Sequence, residues 1–243
     1  MNIKFIIKYV GTNYSGWQIQ KDQPTIQGEI TKAFQILFPN KKINIIGSGR
    51  TDSGVHALGQ IASINLPDDI QLDKVFKSIN GIIPNDIYIS HYQMENLNFN
   101  ARHSAKYRMY KYYIRKQFSP FHKETAWHIK DIIDYSILQK CASLLIGEHD
   151  FTMLSKNNPD IINKKCFIHE SFWQKHNNEL IYTIKANRFL HHMVRFIVGT
   201  SIEAARSKLM IDDFLNMINN CSNQFPVCAP PKGLFLYEVL YDR

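Results

Sequence analysis

The stretch Ile43-Asn-Ile-Ile-Gly-Ser-Gly-Arg-Thr-Asp-Ser-Gly-Val-His-Ala-Leu-Gly-Gln-Ile-Ala-Ser-Ile-Asn-Leu66 decides the fold. Two apolar runs, Ile43–Ile46 and Gln60–Leu66, read as strands. The loop between them runs from Gly47 to Ala57 and carries three glycines in eight residues. Gly47, Gly49 and Gly54 let the backbone take positive φ and pass close to a ligand. Among them stand Arg50, Thr51, Asp52, Ser53 and His56. Two readings are open. Asp52 either caps the turn as an Asx residue, or it is a lone carboxylate presented on a rigid loop and held ionised by a guanidinium.

Outward from this pair, the pattern is regular. Residues Asn2–Val10 alternate as a strand, and Gly11–Gln23 is a polar loop containing Tyr14, Gly16 and Trp17. From Thr25, the apolar residues Ile26, Ile30, Ala33, Phe34 and Leu37 form a helical stripe closed by Pro39. After Leu66 comes a helix carrying Leu72, Val75, Phe76 and Ile79, stopped by Gly81 and Pro84, and then strand Ile87–Met94. The order is β-α-β-β-α-β. The second half repeats it with strand Tyr107–Arg115, helix Tyr135–Ile146, a hairpin Phe167–His176 and Leu180–Ala186 around Asn177-Asn178, helix Leu190–Ala205, a short helix near Asp213–Asn219 and strand Leu234–Tyr241. The expected class is α+β, with two ferredoxin-like (RRM-like) halves, 1–104 and 105–243, joined near residues 96–105.

The chain has 243 residues, 44% hydrophobic and 21% charged, the proportions of an ordinary globular protein. No apolar run approaches the roughly 20 residues of a membrane span. The opening Met-Asn-Ile-Lys-Phe-Ile-Ile-Lys alternates and lacks a signal-peptide block, so a cytoplasmic location is expected. A net charge of +8 points to a polyanionic partner, most simply nucleic acid, against the alternative of a solvated lysine-rich surface. The four cysteines show no C-x-x-C pair and no zinc spacing, and no Walker, G-x-G-x-x-G or H-E-x-x-H pattern occurs.

Two further stretches carry chemistry. In Tyr107–Arg115, the two-residue period puts Arg108, Tyr110, Tyr112 and Ile114 on one face, and Tyr107, Met109, Lys111, Tyr113 and Arg115 on the other. Aromatics interleaved with cations suit base stacking with phosphate contact; they also suit any half-buried strand. In Lys185–Gly199, Leu190, Met193, Val194 and Ile197 form a core stripe, with Arg195 off it and His191-His192 one turn earlier. A buried arginine needs an anionic partner, either in a structural ion pair or in Asp52. The histidine pair reads as structural and hydrogen-bonded.

The string Gly49-Arg-Thr-Asp-Ser-Gly-Val-His-Ala57 with Gly59-Gln60 resembles the signature of the tRNA pseudouridine synthase A family. The resemblance runs nearly end to end. It takes in Tyr14-Ser-Gly-Trp-Gln18, Phe99-Asn-Ala-Arg102, Arg108-Met-Tyr-Lys-Tyr112, Gly147-Glu-His-Asp-Phe151, Lys185–Arg195 and Gly233-Leu234. It implies one mixed, mostly antiparallel sheet with helices on one face. It further implies an isomerase that converts uridine to pseudouridine at positions 38, 39 and 40 of the tRNA anticodon arm. Such an enzyme works as a homodimer, with no metal and no organic cofactor. By position, the family's catalytic aspartate falls on Asp52, its active-site tyrosine on Tyr110 and its active-site arginine on Arg195. Arg50, His56, Tyr110, Arg188 and Leu234 fall at substrate-binding positions. Ser53 stands where the family more often has alanine, and Lys164-Lys165-Cys166 where an arginine-bearing strand start is expected.

Two rivals from other classes remain. A non-catalytic RRM-like RNA-binding protein would need the aromatics and cations but no Asp52–Arg195 pair, and the RRM aromatic signature is absent. A metal-dependent nuclease would use Asp52, His56 and His191-His192, and clustered carboxylates for it are missing from the sequence.

Overall fold

The computed structural model describes residues 1–242 and divides into two compact units. The first is Met1–Lys106 joined by the chain's end from Phe235; the second is Tyr107–Leu234. Among the described residues, no helix is long and apolar enough to cross a membrane.

The first unit opens with strand β1 (Asn2–Tyr9), helix α1 (Ile26–Leu37), the short strand β2 (Ile46–Gly47), strand β3 (His56–Asn65), helix α2 (Leu72–Ile82) and strand β4 (Ile87–Glu95). β1 is central, antiparallel to β3 on one side and β4 on the other. Its alternation buries Ile3, Phe5 and Ile7 completely. The Phe5 ring lies 6.2 Å from Phe34 of α1 and 5.5 Å from Phe76 of α2, so both helices cover the same face of the sheet. Helix α1 starts where Thr25 Oγ1 accepts the Gly28 amide at 3.2 Å. It stops before Pro39, which disfavours helical geometry in the residue preceding it. Phe76 in turn stacks flat on Tyr92 of β4 at 4.2 Å.

The second unit is built from β5 (Ala105–Arg115), β6 (Trp127–His128), α3 (Tyr135–Ser143), β7 (Gly147–Asp150), β8 (Lys165–His176), β9 (Glu179–Ala186), α4 (Met193–Ala205) and α5 (Ile211–Ile218). The antiparallel order is β5-β9-β8-β7, with β6 parallel to β5. Register places Tyr112, Tyr182 and Trp173 in one row, and all three are buried. Asp134 caps α3 by accepting the Ser136 amide, and that bond with the Ser136 hydroxyl lowers its carboxyl pKa. Tyr135 donates its hydroxyl to the Trp173 carbonyl at 2.7 Å, which seats α3 on β8. Cys141 of α3 lies beside Ser201 of α4, and burial pushes its thiol up to about 11. Burial does the same to Cys166. The last strand, β10 (Leu234–Tyr241), returns to the first unit and runs parallel to β3, pairing Phe235 with His56 and Leu236 with Ala57.

The α+β class, the mixed and mostly antiparallel pairing and the helices on one face agree with the sequence, and four local differences have physical causes. The strand expected over Ile43–Ile46 shrinks to Ile46–Gly47, because the Gln27 side chain takes the Ile45 carbonyl at 2.8 Å in place of a strand partner. The helix expected from Leu190 begins at Met193. The Lys156 amide occupies the His191 carbonyl at 2.9 Å, and His192 sits at φ +60°. β3 starts at His56, earlier than the apolar run, since Ala57 pairs with Tyr9. β6 and β7, too short to show a period, were not read.

Phe34 is fully buried and meets two other phenylalanines. Phe34→Ala is expected to cost about 3–5 kcal/mol in urea unfolding. In thiol titration of the native protein at pH 8, Cys221 and Cys228, which are exposed, react promptly. Cys141 and Cys166 react only after denaturation, because their raised pKa values leave almost no thiolate there.

Candidate functional site

In the first unit, the loop before β3 presents Asp52 half-buried and Arg50 exposed. Its base is fixed from β3. Fully buried Gln60 accepts the Ser48 hydroxyl at 2.7 Å and donates to the Gly49 carbonyl at 2.9 Å. Its crown is fixed from the 11–17 segment. The Trp17 amide donates to the Thr51 carbonyl (3.1 Å), while the Gly54 amide (3.3 Å) and the Ser53 hydroxyl (3.2 Å) both donate to the Tyr14 carbonyl. The Thr51 and Tyr9 hydroxyls share a bond of 2.8 Å. Val55 turns back through its amide onto the Asp52 carbonyl at 3.2 Å. Arg50 Nε donates to Gln18 Oε1 at 3.2 Å.

The three loop glycines serve different ends. Gly54 has φ +75°, as the turn requires. Gly47 lies under the Trp17 ring, where a Cβ would stand 2.5 Å from Trp17 Cε2. Gly49 has open space and no positive φ. His56 is fully buried. It accepts the Gly11 amide on Nδ1 at 2.9 Å and lies 4.6 Å from the Phe235 ring, so its action on any ligand passes through the loop it holds. The Tyr14 phenol donates to Asp86. Burial, and then that bond, keep it well above the ordinary tyrosine pKa.

In the second unit, Tyr110 lies in the middle of β5 opposite Ile184, only 7% exposed, with its ring edge-on to Phe189 at 5.0 Å. Its neighbour Arg108 donates from Nη1 to the Asn187 carbonyl at 3.0 Å. Arg188 is half-buried, and Leu234 is buried at the start of β10. Arg195, in the first turns of α4, is bound twice to one residue. Its Nε donates to the Ala229 carbonyl at 2.8 Å, and its own carbonyl accepts the Ala229 amide at 3.0 Å. The 227–230 segment can come this close because position 199 is glycine: a Cβ there would meet the Val227 oxygen at 2.1 Å. The Val227 amide is satisfied by the buried Thr200 hydroxyl at 3.0 Å, and Tyr112 donates to the Pro230 carbonyl at 2.7 Å. Burial raises the Tyr112 phenol strongly, against the opposing pull of Arg195, so it stays a donor.

Asp52, Arg50 and His56 thus stand on one framework, and Tyr110, Arg188, Arg195 and Leu234 on another. Sequence reading gave no holding role to the residues that fix them: Tyr9, Tyr14, Trp17 and Gln60 in the first unit, and Tyr112, Gly199, Thr200 and Ala229 in the second. The signal for Gly199-Thr200 was legible, since a glycine and a hydroxyl inside an apolar helix call for a close neighbour with a polar group to satisfy.

Comparison with known proteins agrees with the residue pattern. A family model described as tRNA pseudouridine synthase matches residues 5–104 and 141–242. The tRNA pseudouridine synthase A 1 of Protochlamydia amoebophila (strain UWE25) is 38% identical, covering 99% of this chain and 96% of that protein. The tRNA pseudouridine synthase A of Chlorobium limicola is 36% identical, covering 99% of each. That of Dictyoglomus thermophilum is 36% identical, covering 99% of this chain and all of that protein.

Gly16 has φ +94°, and a Cβ on it would lie 2.5 Å from the Thr51 carbonyl oxygen. Gly16→Ala is therefore expected to lose at least about 1–3 kcal/mol. Ser53→Ala, which gives up one part-buried hydroxyl bond, should lose no more than about 1 kcal/mol. Urea unfolding of the two variants side by side checks the order.

Proposed function

The chain belongs to the tRNA pseudouridine synthase family, and on that premise we propose that it isomerises uridine to pseudouridine at positions 38, 39 and 40 of the tRNA anticodon arm. The observation that carries the reading is the Asp52 loop, whose backbone on both sides of a half-buried aspartate is held by backbone and side-chain hydrogen bonds. Such rigidity suits a group that must meet one atom of a flipped nucleotide. It exceeds what a capping aspartate needs.

The reaction breaks the bond from C1′ to N1 of uracil, turns the ring and joins C1′ to C5, and the C5 proton then leaves. Inside a paired stem the base is unreachable, so the nucleotide is extruded at a cost of a few kcal/mol. In this reading Asp52 acts as nucleophile or base, and Arg195 is its ion-pair partner. Tyr110 stacks on the displaced uracil and assists removal of the C5 proton. Arg50 and Arg188 hold the backbone, Leu234 packs against the nucleotide, and His56 positions the loop. No metal or organic cofactor takes part. The working form is a cytoplasmic homodimer.

The test is pseudouridine formation on a tRNA transcript in EDTA, read by carbodiimide labelling and primer extension, because isomerisation leaves the mass unchanged. Wild type is expected to modify the anticodon arm. Asp52→Asn should bind tRNA with wild-type affinity while its turnover falls by at least ~10²-fold. Binding by both proteins with modification by neither would replace the enzyme with an RNA-binding module.

A further inference from the structure

From the end of β5 to the end of β6 the chain reads Arg115-Lys-Gln-Phe-Ser-Pro-Phe-His-Lys-Glu-Thr-Ala-Trp-His128. The loop is pinned at both ends. Arg115 pairs with His128 where β6 runs parallel to β5, His128 Nε2 bonds the Lys116 carbonyl at 3.0 Å, and the Lys116 amide reaches the Asn178 carbonyl at 3.2 Å. Between these pins the chain encloses a small recess. Arg115, Gln117, His122, Lys123, His128 and Lys232 contribute nitrogen-bearing side chains to its lining, and among the described residues no carboxylate lines it. Glu179 lies 3.0 Å from Arg115 Nε, and Glu124 stands in the loop itself beside Lys123. On the rim stand two aromatic rings in water: Phe121, 90% exposed, and Phe118, 59% exposed with its ring edge-on to His128 at 5.6 Å.

Scattered exposed apolar residues are ordinary on protein surfaces. Here, however, the exposed rings border cations. A protein-docking patch would surround them with further apolar surface. An exposed ring beside a cationic recess is the pairing that takes a base on its π-face and a phosphate in the recess. The loop is also ordered by its own hydrogen bonds, so little freedom is lost on binding. Five residue steps of strand separate Arg115 from Tyr110, about 17 Å along β5 at the usual rise, too far for one nucleotide to touch both.

We propose that the 115–128 loop is a second RNA contact, in which Phe121 stacks on an unpaired base and Lys123 and His122 hold the adjoining phosphodiester. The inference rests on the reading of the chain as a tRNA enzyme, and it adds a stretch of unpaired RNA that is not the uridine being isomerised.

The experiment measures binding of a full tRNA transcript to the intact protein by anisotropy between about 50 and 200 mM salt. Variants are Phe121→Ala and Lys123→Ala, both at exposed positions, with Ile162→Ala as a control for loss of an exposed apolar side chain elsewhere. Phe121→Ala is expected to weaken binding about 10-fold. Lys123→Ala should lower the slope of log affinity against log salt by about one, and Ile162→Ala should change neither. Circular dichroism confirms folding, and sedimentation gives the oligomeric state. Wild-type affinity and slope in both loop variants would overturn the proposal. So would loss of affinity in Lys123→Ala alone, which leaves an anion site without stacking. Phe121→Ala that dissociates a dimer while each remaining dimer binds as before would also overturn it, assigning the ring to a second copy. Pseudouridine formation is scored on the same samples. A wild type that loses affinity through Phe121→Ala but never isomerises uridine keeps this loop and discards the enzyme; a wild type that isomerises while the variants bind normally does the reverse.

Discussion

A carboxylate on a loop has no helix or ladder to hold it, so its position depends on what satisfies the backbone around it. In this chain Gln60 of β3 holds the base of that loop, and residues 11–17 hold its crown. The Tyr14 carbonyl takes both the Gly54 amide and the Ser53 hydroxyl, and the Trp17 amide takes the Thr51 carbonyl. Each such bond contributes only about 1 kcal/mol net, but leaving a buried group unpaired costs about 1–3 kcal/mol. The loop therefore has one arrangement that satisfies its polar groups and many that do not. Gly16 and Gly47 follow from the same constraint, because the strap and its tryptophan lie too close to the loop for a Cβ at either position.

The second unit solves the matching problem for a cation. A guanidinium on a helix surface is free about several bonds. Arg195 surrenders that freedom by giving Nε to the Ala229 carbonyl, while the Ala229 amide returns to the Arg195 carbonyl. With Nε committed, the plane of the guanidinium is set. The segment doing this is itself held by Thr200 and Tyr112, so the aim of one side chain rests on a glycine, a threonine and a tyrosine that never bear charge at neutral pH.

This division explains what could be read from the sequence. Periodicity carried the elements whose faces differ sharply, so α1 with Ile26, Ile30, Ala33 and Phe34, and β5 with alternating Tyr110, Tyr112 and Ile114, stand close to where their patterns put them. The family likeness was legible because glycines, arginines and an aspartate cluster in an unusual order around Asp52. What failed were features set by a single distant group: the Gln27 side chain capturing the Ile45 carbonyl, or the Lys156 backbone amide capturing that of His191. No local pattern announces such a capture, since glutamine has many other uses and every backbone amide is alike. Ser53 shows the same limit in reverse. It reads as a departure from the family, yet its hydroxyl adds a bond to the carbonyl that already anchors Gly54.

Net charge enters at a different level from these fixed bonds. The chain carries 29 lysines and arginines against 21 acidic residues, so even complete one-to-one pairing would leave a surplus of 8. Several pairs are indeed made, among them Lys4–Glu95, Arg115–Glu179, Lys185–Glu170 and Arg206–Asp131. The surplus attracts any polyanion, and salt weakens that attraction. It cannot choose a nucleotide, because phosphates are alike along the strand. Choice requires groups that cannot move to suit the wrong base. The 11–17 strap holds the Asp52 loop, and the 227–230 segment holds Arg195, each in one arrangement. The field is set by composition, and those positions by individual hydrogen bonds.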